Sequence, residues 1–309
     1  MASFINALPG AVAQGLIWGI MAIGVYITFK LLDIADLTVD GSFCTGGAVC
    51  VMMVTGGYNV WFAMLCALLA GMVAGMVTGL FHTACGIPAI LAGILTQLGL
   101  WSVNLAIMGM KANQSLNVNN YDLVVSLRYL QDVGKGTRPF WQHPIFVVAL
   151  FTVVVIAILY WFFGTELGSA IRATGNNPRM IRAQGVSTDR MKIIGLMLSN
   201  GLVALSGALI AQSQNFADVQ MGTGSIVIGL ASLIIGEVLF GRRGFLSRLI
   251  SLALGAVVYR MIIALVLELG MPTNDLKLFT AITVALALWL PQGKELLRTL
   301  KKSCAKEAA

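Results

Sequence analysis

Gly175-Asn176-Asn177-Pro178-Arg179-Met180-Ile181-Arg182-Ala183-Gln184-Gly185 is a polar island between two long apolar segments of the chain. Asn177 suits a helix N-cap, Pro178 the first helical position and Gly185 the left-handed residue past the end. The seven residues between these caps therefore read as a closed helix of two turns. At 1.5 Å per residue it is roughly 10 Å long. A helix that short needs packing to persist. Arg179 and Arg182, three apart, share one face, while Met180, Ile181 and Ala183 supply an apolar one. Two readings fit: a docking knob for another protein, or a plain loop whose arginines only set membrane orientation.

The segments flanking the island set the fold class. Only 11% of residues are charged and 58% are hydrophobic, with a mean hydropathy of +0.87. Soluble domains hold about 25% charged and about 45–50% apolar residues. The chain reads as an all-α polytopic membrane protein, 1–309 forming one membrane domain. In that class a net charge of +7 decorates one membrane face and does not imply nucleic acid. Cys44, Cys50, Cys66, Cys85 and Cys304 have neither metal-ligand nor disulfide-framework spacing. His82 and His143 stand apart, so no metal or catalytic constellation can be built on them. Gly134-Lys135-Gly136-Thr137 is too short to cradle a phosphate. No catalytic residue, metal or cofactor is expected in this chain.

Working outward, about nine spans (eight to ten) emerge: 8–29, 37–54, 60–81, 87–110, 145–163, 192–213, 224–240, 249–269 and 276–290. The second, seventh and ninth fall short of the roughly 20 residues needed to cross about 30 Å of hydrocarbon. The first has no lysine or arginine before it, lacks the basic region of a secretory signal, and reads as retained. Between spans, 30–36 reads as a short charged turn and 111–144 as an external loop with an amphipathic stretch at 122–132. The region 164–191 holds the island, 214–223 is a turn without basic residues, 241–247 is a basic turn, and a basic tail starts at Pro291. Distributing the twenty lysines and arginines over this layout puts fourteen on one face, five on the other and Arg260 inside a span. The fourteen-residue face is cytoplasmic by the positive-inside rule. The N-terminus is then outside, and the island and tail are inside.

A faint internal echo is present. Ala35-Asp36-Leu37 precedes the second span and Ala217-Asp218-Val219 the seventh, with Gly41-Ser42 and Gly224-Ser225 following. These turns fall on opposite faces, as in inverted repeats with discontinuous helices. Gly71, Gly75 and Gly79 form a stripe for close packing, within the chain or between copies. Charges inside a bilayer need an account. Asp40 reads as a helix cap or a ligand group, and Glu237 as a solvated partner of Arg242. Arg260 reads as snorkelling outward, meeting Glu268, or meeting a solute carboxylate. Asp40, Ser42, Gln97, Asn104, Asn200 and Gln212 are the substrate-pathway candidates, with interhelical hydrogen bonding as the alternative for the amides.

Residues 173–186, with Gly201, Gly207 and Ile234-Ile235-Gly236, resemble the coupling region of bacterial ABC-importer permeases for branched-chain amino acids and sugars. Ile34-Ala35-Asp36-Leu37-Thr38-Val39-Asp40-Gly41-Ser42-Phe43, Leu91-Ala92-Gly93-Ile94-Leu95-Thr96 and Asn104-Leu105-Ala106-Ile107-Met108-Gly109 narrow the resemblance to the tryptophan/tyrosine-type subgroup. The resemblance implies a permease in the bacterial inner membrane that pairs with a second copy. It implies two cytoplasmic ATPases that bind ATP and magnesium, and an external solute-binding protein. It further implies that Asn177, Pro178, Arg179, Met180, Ile181, Arg182, Ala183, Gln184 and Gly185 couple to those ATPases, with Met180, Ile181 and Ala183 filling a groove and the two arginines at its rim. The rival readings are an ion-coupled secondary transporter using Asp40, Glu237 or Arg260, an intramembrane enzyme, and a scaffold. An enzyme would need a clustered nucleophile and base or metal ligands, against two lone histidines and unpaired carboxylates, and a scaffold leaves the inverted echo and the buried charges unexplained.

Overall fold

The computed structural model describes residues 2–117, 121, 123–126, 143–241 and 244–268, with isolated positions 278, 281, 282 and 285 beyond them, and describes 2–7 as backbone only. The helices are α1 Ala2–Tyr26, α2 Thr38–Thr55, α3 Val60–Thr83, α4 Ala89–Ile107, α5 Pro144–Gly164, α6 Glu166–Asn176, α7 Pro178–Ala183, α8 Thr188–Gln214, α9 Ser225–Phe240 and α10 Phe245–Glu268. Among the described residues seven helices are long and apolar enough to cross a membrane, and α9 is a shorter apolar one. Helices dominate because hydrocarbon offers backbone amides no other partner. The first eight expected spans fall on α1 to α5 and α8 to α10. All but four positions of the ninth span, the basic tail and most of the stretch 122–132 lie outside the described residues.

Three elements were not legible. Residues 166–176 form α6, and the segments after α4 and α8 each contribute a short strand. β1 (Asn113–Ser115) and β2 (Phe216–Asp218) pair antiparallel, with Gln114 opposite Ala217. This clip closes the face opposite α6 and α7, since α8 joins the two faces over its 27 residues.

α8 is the hub, packed on α3, α2 and α1, while α10 lies along α1 and α9. The glycine stripe is used within the chain. A Cβ at Gly75 would meet the Leu196 carbonyl and lie 3.0 Å from the Asn200 Cβ, and one at Gly79 would lie 3.0 Å from Ile193. Gly46 abuts Ala204 and Gly207 abuts Phe43 in the same manner. Small residues bring α2 and α3 against the α8 backbone, which is how helices gain contact where lipid is as apolar as leucine. α4 and α5 leave most of their apolar surface outward.

Two helices begin at membrane depth. After α1 a π-helical turn, Ile27–Leu31, leads into a non-helical link in which Leu32 packs on Gly195 and Asp36 reaches Asn200. Asn200 stands twelve residues into α8, about 18 Å from its start at 1.5 Å per residue. The segment 30–36 thus keeps Lys30 and Asp33 exposed but draws its end inward, where Asp36 is only 2% exposed. After β2 the chain likewise doubles back, so that Gly222 lies against Asp40 and Cys44 before α9 starts. Such backbone is tolerated within a bilayer where protein surrounds it. The echo has a local counterpart: Asp36 Oδ1 accepts the Thr38 amide at 2.9 Å, and Asp218 Oδ1 the Gln220 amide at 2.6 Å.

Candidate functional site

The two re-entrant segments converge on a polar cluster. Asn200 Nδ2 donates to Asp36 Oδ2 at 2.7 Å and to the Leu196 carbonyl at 3.0 Å, while Ser42 Oγ donates to Asn200 Oδ1 at 2.6 Å. Thr38 Oγ1 and Thr78 Oγ1 share a 2.7 Å hydrogen bond, which joins α2 to α3. Asp40 accepts the Gly224 amide at 2.9 Å, the Ser225 hydroxyl at 2.8 Å and the Ile226 amide at 3.1 Å. It therefore caps a helix start, that of α9 and not of its own helix. A carboxylate at the amide end of a helix is favoured by both hydrogen bonding and the helix dipole.

Asp40→Ala should leave those donors unpaired and lower apparent stability by about 1–2 kcal/mol. Asp40→Asn, which keeps one acceptor oxygen, should recover part of that loss. Thermal unfolding of the detergent-purified protein checks both.

The remaining pathway candidates divide. Gln212 is fully buried and committed, accepting the Val124 amide at 3.2 Å and donating to Cys50 Sγ at 3.3 Å. Asn104 is 1% exposed, reaches the Gly41 carbonyl only at 3.5 Å, and keeps a buried Oδ1 without a partner. Gln97 is half-buried on α4, its Cα near the Gly41 backbone. Glu237 is 8% exposed near the end of α9, and its expected partner Arg242 lies outside the described residues. Arg260 sits with its guanidinium over the Trp18 ring, 4.7 Å from the centroid, and the Glu268 side chain lies outside the described residues. Among the described residues no group of three metal-ligating side chains occurs.

The island folds as its caps require. Asn177 accepts the Met180 amide at 3.1 Å, Pro178 opens α7, and Gly185 takes φ +84°. The helix exposes Arg179, Met180 and Ala183. Ile181 is the correction to the expected groove-filling face: it is 4% exposed, buried where α7 meets α6 and α8. Arg182 is also engaged within the chain, its Nη2 3.2 Å from Asp189 Oδ1 and its Nε donating to Thr188 Oγ1 at 2.7 Å. α6 starts at a Thr165 cap and ends with Gly175 against the Leu31 carbonyl, a Cβ there falling 2.8 Å from the Leu32 Cα. The α6–α7 unit thus rests on the link between α1 and α2. Sequence reading missed this contact and the burial of Asp36. The only local signals were a glycine near the end of α6 and the Asp36-Leu37-Thr38 spacing.

Comparison with known proteins adds to this geometry. Residues 8–288 match the model of the family described as branched-chain amino acid transport system, permease component. The tyrosine transport system permease protein of Clostridioides difficile (strain R20291) is 38% identical over 279 residues, 90% of this chain and 89% of the relative. An uncharacterised protein of Rickettsia prowazekii (strain Madrid E) is 30% identical over 287 residues, 92% of this chain and 97% of its own. Among solved structures, PsaBC from Streptococcus pneumoniae in complex with Fab has a TM-score of 0.53 at 16% identity, covering 93% of this chain and 94% of that one, a likeness of fold. A polytopic helical chain with this match is a multi-pass membrane protein, of the kind that bacteria keep in the inner membrane. The chain belongs to the family of permease components of branched-chain amino acid transport systems.

Proposed function

We propose that this chain is the membrane-spanning subunit of a bacterial ABC importer, moving an amino acid, of the aromatic class, inward at the expense of ATP hydrolysed by a separate subunit. The family and the tyrosine permease relative support the transport class and the solute class. The observation that carries the reading is the mounting of α7. Its outer face offers Met180, 47% exposed, beside Arg179 and Ala183, while its inner face holds Ile181 and leans through α6 on the link into α2. A rigid push on α7 then reaches α2 and the polar cluster directly. In this reading α7 faces the cytoplasm, the N-terminus is outside and the tail inside. Two copies form the pathway, ATP and magnesium are held by the ATPase pair, and a solute-binding protein docks on the β1–β2 face. α1–α2 and α8–α9 are the inverted units, with Gln97 and Asn104 the pathway amides least committed elsewhere.

The test uses the permease reconstituted with its ATPase and binding protein. Met180→Asp places a charge on the exposed face and should lower ATP-driven uptake roughly tenfold, the equivalent of about 1.4 kcal/mol. Folding and membrane insertion should be unchanged. Ile181→Asp buries the charge and should lower the amount of folded permease instead. Undiminished uptake by Met180→Asp, with normal ATPase binding, would refute the docking role of α7.

A further inference from the structure

We infer that Arg260, placed by the Trp18 indole, receives the carboxylate of the transported solute near the middle of the membrane. The inference rests on the proposed import function and adds the group that recognises the solute.

Depth comes first. α10 starts beside the α6–α7 face, where Phe245 meets Phe163 at 5.3 Å and Tyr26 at 6.5 Å between ring centroids. Arg260 follows fifteen residues later, about 22 Å along the helix. That places the Arg260 backbone past the bilayer middle, while its guanidinium reaches Trp18, whose neighbours Gly15 and Gly19 abut Val257 and Ala253, close to the middle of α10. An ionised side chain at such a depth is costly, and where one occurs it faces the protein interior or a pathway with a partner.

The described partner is not an anion. The guanidinium lies over Trp18, which is 5% exposed and stacks on Phe43 at 5.1 Å and 28°. The ring quadrupole holds the cation's position without neutralising its charge. Among the described residues no carboxylate pairs with Arg260, and its buried Nε has no acceptor. The Trp18 indole N–H is also buried without an acceptor. Two neighbouring donors, one cationic, are thus left open where buried polar groups are normally paired. Arg260 as a whole residue is half-buried. A carboxylate suits these donors in charge and geometry, because it accepts two parallel bonds from a guanidinium. Asp40 is not their partner, since its oxygens accept three donors at the start of α9.

The probes are L-tyrosine and tyramine, which differ by the carboxylate alone. Binding of each is measured to the permease–ATPase complex in nanodiscs, without the solute-binding protein. The wild-type complex should prefer L-tyrosine. Arg260→Gln should weaken L-tyrosine binding about tenfold or more while leaving tyramine unchanged, since one partner of a charge-assisted pair is removed. Arg260→Lys, which keeps the charge and loses the fork, should fall between. Thermal unfolding and ATPase-subunit binding are measured for all three, which separates a recognition defect from a folding or assembly defect. The inference is overturned if wild type binds the two probes alike or binds neither, or if Arg260→Gln or Arg260→Lys keeps the full preference for L-tyrosine, which would make Arg260 a brace on Trp18. Failure of wild-type ATP-driven uptake would instead strike the import reading itself.

Discussion

Asn200→Leu should cost about 3–5 kcal/mol of apparent stability, the sum expected for losing hydrogen bonds to a carboxyl group and a hydroxyl while the carboxyl stays buried. The leucine is close in size, so the loss is polar and not steric. It strips Asp36 of the 2.7 Å bond from Asn200 and Ser42 of its 2.6 Å acceptor, leaving Asp36 with only the amide and side chain of Thr38. The same three residues hold the re-entrant link against α8, so uptake should fall with stability. A second substitution isolates the cause. Adding Asp36→Asn removes the stranded carboxyl, so the double variant should be more stable than Asn200→Leu alone, a non-additive result expected for directly bonded residues. Thermal unfolding of the four proteins in one detergent decides the matter. Losses that simply add would show that burial of the carboxyl is not what Asn200 compensates.

Gly175→Leu should reduce ATP-driven uptake by roughly a hundredfold, as about 3 kcal/mol of overpacking at a coupling contact implies. There is no room for a side chain: a Cβ would collide with the Leu31 carbonyl and stand 2.8 Å from the Leu32 Cα. Both obstacles are backbone and cannot rotate aside. The α6–α7 unit must then lift from the link into α2, while the long helices that set membrane insertion are untouched. Folded permease should be recovered at near-normal yield, with ATPase binding preserved through Met180 and Arg179 and transport lost. Gly175→Ala, with the smallest addition, should be intermediate. Normal uptake by the leucine variant would mean that movement at α7 reaches α2 by another route.

The contrast between Met180 and Ile181 shows how far a short helix can be read. Residue types and caps were sufficient to place α7, because capping depends on side chains one to three residues from the backbone groups they satisfy. Which apolar residue faced out was not, since six residues present several apolar positions and only α6 and α8 decide which is covered. Arg182 repeats the lesson. Its partners Thr188 and Asp189 lie across the turn that ends at Gly185, and that turn's path brings them within 3.2 Å.

By itself the sequence determined the membrane class, the places of eight apolar helices to within a few residues at most ends, and the capped island, because each follows from local chemistry: hydropathy over a helix, or one side chain meeting nearby amides. Only the tertiary structure decided that Asp36 is buried against Asn200, that Asp40 caps a helix 185 residues away, and that Gly175 touches Leu31. Polar groups at membrane depth take their partners from whichever helix packing brings near, and that packing is set by backbone contact at small residues on α2, α3 and α8. No local pattern records those neighbours.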